Sequence, residues 1–157
     1  MNRTRALVLL SLSASVVVVV NATEKPSKEF QDAMRSNGSI VDISRGTVSS
    51  VSGGTESVET SLRAHMRAKD YSGIAADAVT LRANFVKIEA FWADRKTADA
   101  IEFAKAGIKA STDLEAAAKA KDDVRVSASA TAVAATCRSC HLAHRAVQLA
   151  DGLFAIM

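Results

Sequence analysis

Cys137-Arg138-Ser139-Cys140-His141 is the stretch on which the reading of this chain turns. Two thiols three positions apart, followed at once by an imidazole, have the C-x-x-C-H spacing of covalent haem attachment: the thiols add to the two vinyl groups, and the histidine ligates the iron. The cysteine pair also fits a redox dithiol or half of a zinc site. A redox dithiol of this kind belongs beside a βαβ pattern, which the chain does not show. A zinc ion needs four ligands, and Cys137, Cys140, His141 and His144 crowd into eight residues of one helix, an awkward set for a tetrahedral ion. Haem is the favoured reading, and the rest of the chain is then read as the cleft that holds one porphyrin.

Working outward, Val126, Ala130, Val133, Cys137, Cys140, His144 and Val147 alternate at spacings of four and three, which predicts a helix over about 123–149 with the motif on its inward stripe. Asp122 and Asp123 suit its start. The preceding helix, about 98–119, turns Ile101, Ala104, Ile108, Leu114 and Ala118 inward and pairs Glu115 with Lys119 outside. Thr97 is placed as its N-cap, with Asp99 in its first turn. The clearest periodicity comes before it: Ile74, Ala78, Leu81, Phe85, Ile88 and Trp92 form a seam, widened by Phe91.

Residues 58–69 also read as helical, with Leu62, His65, Met66 and Lys69 on one side and Asp70-Tyr71-Ser72-Gly73 as the stop. A first helix is expected between Thr23 and Asn37, where Pro26 fits a first turn and Phe30, Ala33 and Met34 share a face. Gly38, Gly46, Gly53 and Gly54, among serines and threonines, predict an irregular insertion over about 38–57. With one proline, seven glycines and much alanine, the chain reads as all-α. Four helical segments joined by short turns favour an up-down-up-down four-helix bundle around one covalently attached haem.

At the start, Arg3 and Arg5 precede an apolar run from Ala6 to Val20, and Val20-Asn21-Ala22 supplies small residues for cleavage, the layout of a secretory signal peptide over residues 1–22. A spanning helix needs about 20 apolar residues, and this run is shorter and carries Ser11, Ser13 and Ser15. Export agrees with the thiol motif, since c-type haem is attached outside the cytoplasm in bacteria. Two cysteines are also too few for a disulfide framework. Of the 20 lysines and arginines, Arg3 and Arg5 lie in the leader, so a chain cleaved after Ala22 carries 18 against 17 acids. Two haem propionates bring it near neutrality, and the basic precursor is no argument for nucleic acid. The mature part, 23–157, fits one domain.

In such a bundle the end of the last helix meets the start of the first and the turn before the third. That end holds Met34, Phe85, Ile88, Phe91 and Trp92. Phe85 and Trp92 are candidate haem walls. Met34 is a candidate sixth ligand, because a thioether is a common partner opposite a haem histidine; its structural alternative is core filler. Arg145 is a candidate propionate partner, or else a solvated helix-end cation. His144 reads as a polar rim residue, and His65 and Met66 fall toward the far end.

The run Cys137-Arg-Ser-Cys140-His141-Leu-Ala-His144-Arg145 near the C-terminus, the acid-led helix before it and the Phe91-Trp92 segment resemble the class II c-type cytochromes, the cytochrome c′ family. The likeness covers about residues 58–147, and Phe30 to Gly38 more loosely. It implies an exported monohaem four-helix bundle in the periplasm. Members with methionine on the first helix, which Met34 matches, are low-spin electron carriers; members with an apolar residue there bind nitric oxide or carbon monoxide at five-coordinate iron. The family often forms dimers through its first two helices, where the 38–57 insertion departs from the pattern.

The expected function is single-electron transfer between redox partner proteins through haem c, with gas binding or sequestration as the alternative. An enzyme has little support: there is no phosphate loop, dinucleotide glycine motif or zinc-protease helix pair.

Overall fold

The computed structural model describes residues 24–41, 62–150 and 154–157. The expected leader, 1–22, and the 42–57 part of the expected insertion lie outside the described residues. The fold is mostly helical: α1 (Lys28–Val41), α2 (Leu62–Ala68), α3 (Tyr71–Asp94), α4 (Ala98–Lys119) and α5 (Asp123–His144), followed by two short antiparallel strands, β1 (Arg145–Gln148) and β2 (Phe154–Ile156). No described helix is long and apolar enough to cross a membrane.

One device makes all three interhelix turns from α2 to α5. Lys69, Lys96 and Lys121 each take a left-handed backbone, with φ of 54°, 55° and 53°. At each, the lysine N–H and the next N–H return to carbonyls of the helix just ended: Lys121 N to Ala118 O at 2.9 Å and Asp122 N to Ala117 O at 3.0 Å, for example. This paired return satisfies carbonyls the helix end leaves open. The residue after each lysine then starts the next helix. Asp70 accepts from Gly73 N and Asp122 from Arg125 N, both at 3.0 Å. Thr97 occupies the same position, but its side chain makes no capping bond. Turns this short fold α3 back on α4 and α4 back on α5.

Packing centres on α3, whose inward seam is buried from Ile74 to Trp92. It meets α4 on one side and α1 on the other, and α5 packs on α4. Alanines at 100, 104, 110, 117 and 118 line the buried side of α4, so backbones approach closely. At Gly107 a methyl group would stand 2.5 Å from the Phe85 ring. Aromatics cluster where α1 crosses the end of α3: the Phe30 and Phe91 ring centroids are 3.9 Å apart, and Phe91 and Trp92 meet edge to face at 5.1 Å.

The element boundaries differ from the sequence expectation in three places. The last helix stops at His144, because Arg145 turns extended and residues 145–148 pair with β2; Val147, expected inward, is 66% exposed. The first helix passes Gly38 and runs to Val41. Ile40 and Val41 pack on the core, and buried Asn37 accepts from Asn84 Nδ2 at 2.8 Å, contacts that offset the glycine's cost of about 1 kcal/mol. Residues 71–73 open α3 rather than ending α2, since Lys69 and Asp70 together complete the turn. In α4, Ile101 and Ile108 are only half-buried, while Ala104, Leu114 and Ala118 are buried as expected.

Candidate functional site

α1 and α5 share no interface comparable to the others. Between them lies a pocket of about 310 Å³. From α1 it receives Phe30, Gln31, Met34 and Arg35, and Pro26 from just before that helix; from α5 it receives Cys140, His141 and His144. Trp92 of α3, Arg145 of β1 and Phe154, Ala155 and Ile156 of β2 complete the wall.

The structure thus brings Met34, Trp92, Cys140, His141 and Arg145 to one cavity. Cys137 sits one turn earlier on the same stripe, 8% exposed and within the apolar core, and does not line the pocket. Phe85, expected as a wall, does not line it either. Its ring is 4% exposed and fills the space opposite Gly107, between α3 and α4. His65 is away from the pocket, its Nδ1 2.8 Å from Asp77 Oδ2, and Met66 packs partly buried on the core.

Burial sets the protonation of the motif. Both thiols are pushed up to about 11, Cys137 by burial alone as a raising influence and Cys140 by burial reinforced by the charges of Cys137 and Asp99. At neutral pH they are protonated, unlike the lowered thiols of reactive dithiols. His141 is held below its ordinary value, chiefly by burial and then by the Arg145 charge, so its imidazole is neutral and keeps a ring nitrogen free to ligate. Among the described residues no three His, Cys, Asp or Glu side chains are grouped to hold a metal ion.

No family model, curated protein or solved structure matches the chain.

His144 departs from its reading as a rim residue. It is 9% exposed, its ring lies 4.9 Å from that of Trp92, and Nε2 is 3.1 Å from Asp99 Oδ2. Asp99 therefore does two things: Oδ1 accepts from Ala100 N in the first turn of α4, and Oδ2 holds the buried histidine. Trp92 carries the opposite sign of satisfaction, for its buried indole N–H has no hydrogen-bond partner. Such a group is costly, on the order of 1–3 kcal/mol, unless something supplies an acceptor. Pro26, Phe30, Gln31, Arg35 and the β2 residues line the pocket without being singled out as site candidates by the sequence. Phe30 was legible as inward-facing, whereas nothing local in the sequence marks β2 as a pocket wall.

Proposed function

We propose that this chain is an exported c-type cytochrome of the cytochrome c′ kind, a haem-holding bundle that carries single electrons between redox partners. The observation that carries the reading is the convergence, on one cavity, of Cys140 and His141 from α5 with Met34 from α1.

The residues suit the group. A porphyrin supplies four ligands of its own, so the protein needs to offer one or two axial atoms rather than a cluster. His141 offers a neutral imidazole on one wall, and Met34 a thioether on the facing helix. Cys140 at the cavity and Cys137, one turn earlier on the same stripe and outside the cavity lining, would be the two attachment points. Phe30, Trp92 and Ile156 give the apolar surface that excludes water. Arg35 and Arg145, both at the cavity, suit carboxylates through their planar forks, and the Trp92 N–H is a donor still without an acceptor. When bound, the haem supplies an iron that changes oxidation state by one electron. The chain's part is to hold its axial donors fixed and its surroundings dry.

Mass spectrometry of the exported protein, made in a host with working haem maturation, tests the attachment: one added haem is expected, and its absence overturns the proposal. Optical spectra then test the ligands. A low-spin spectrum that becomes high-spin in Met34→Ala is the expected outcome, and an unchanged spectrum removes Met34 from the iron. The apolar neighbours Phe30 and Pro26 on the same wall favour a second reading, a five-coordinate haem that binds nitric oxide or carbon monoxide. Rapid carbon monoxide binding by the reduced wild type distinguishes it.

A further inference from the structure

Resting on the haem reading above, we propose that β2 is a tether that sets the spacing between the helices carrying Met34 and His141, and so governs how readily a solute reaches the iron.

The two helices need such a link because they share little direct interface. β2 supplies it from both edges. On one side it pairs with β1, Arg145 opposite Ile156 and Gln148 opposite Phe154, and Met157 N–H donates to His144 O at 3.0 Å, which joins it to the end of α5. On the other side Ile156 and Glu24 exchange two backbone hydrogen bonds, of 3.0 and 3.2 Å, which joins it to the chain leading into α1. Side chains anchor both ends. The Arg145 guanidinium lies 3.2 Å over the Phe154 ring, and the Glu24 carboxylate pairs with Arg95, itself 3.6 Å over the ring of Phe91 on α3.

Burial says the link is packed rather than draped. Ala155 is 1% and Ile156 7% exposed, although they stand at the end of the described chain. Both line the pocket with Phe154. Without β2, α1 is positioned chiefly through α3 and α2, and the wall between the Met34 and His141 helices opens.

Two full-length, haem-loaded variants test this. Ile156→Pro deletes the donor to Glu24 O, and Glu24→Pro deletes both the donor to Ile156 O and the carboxylate that pairs with Arg95; both positions lie outside all five helices, and the second keeps β2 itself. Three measurements are made on each: attached haem by mass, hydrogen exchange of α1 against α4, and the rate of imidazole binding to the ferric iron. In both variants α1 protection is expected to fall about tenfold relative to α4, and imidazole binding to accelerate by a similar factor, with haem still attached. Exchange and binding rates within about twofold of wild type, haem attached, overturn the tether. A wild type lacking haem mass overturns the haem reading instead, and the exchange measurement still decides whether β2 holds α1. Should Ile156→Pro fail to fold, Glu24→Pro decides by the same measurements.

Discussion

Gly38 and Gly107 both lie inside helices, and replacing each by alanine separates two parts of the account. An ideal Cβ on Gly38 meets nothing within 4 Å, so Gly38→Ala gains only the helix preference of alanine, about 1 kcal/mol. At Gly107 the same methyl group lands 2.5 Å from Phe85 Cδ1 and Cε1 and 2.7 Å from Cγ. Carbons rest at roughly 3.5–4.0 Å, so the ring must retreat by about 1 Å inside a core where it is 4% exposed. Overpacking of this kind costs about 1–3 kcal/mol. Set against the same helix gain of about 1 kcal/mol, the net is a loss of up to about 2 kcal/mol.

The two variants should therefore differ by roughly 2 kcal/mol, which for a domain of this size is on the order of 8 °C in melting temperature. Thermal unfolding followed by helical circular dichroism, on identically prepared proteins, reads the gap, with Gly38→Ala above wild type and Gly107→Ala below. If Gly107→Ala melts as high as Gly38→Ala, the ring is free to leave the α3–α4 interface. Phe85 would then be available as the pocket wall that the sequence suggests, and the packing described for it would be wrong.

Two further predictions concern the turns and the far end of α3. Lys121→Gly relieves a left-handed residue, at φ 53°, and should stabilise the protein by about 1 kcal/mol, seen as a higher denaturant midpoint at unchanged slope; no gain would mean the turn carries no strain. Burial, only partly countered by His65, raises the Asp77 carboxyl above its ordinary 3.8, so its protonated form favours the fold. That contribution is complete below 3.8 and is lost as pH rises through the raised value. The stability of wild type relative to Asp77→Asn should consequently decline as pH climbs from below 3.8; a difference that is flat or grows contradicts the burial of Asp77.

The sequence reveals what repeats and hides what depends on a distant partner. The α5 stripe from Val126 through Cys137 and Cys140 to His144 is visible because one spacing persists over five turns, and all of its described positions from 126 to 144 are buried or half-buried. The same spacing says that Phe85 turns inward but not toward which neighbour. That choice is made by the missing side chain of Gly107 on another helix. His144 is misread for a related reason: a histidine is polar until an acceptor is found, and its acceptor, Asp99, lies in the first turn of α4. The strand β1 is hidden most completely, because four residues that continue a helical pattern become extended only once β2 pairs with them. The position of the pocket follows from the same distinction. Three-residue turns force α3, α4 and α5 to pack in succession, whereas nothing local draws α1 toward α5, and the gap left between the first and last helices is where the motif and Met34 meet.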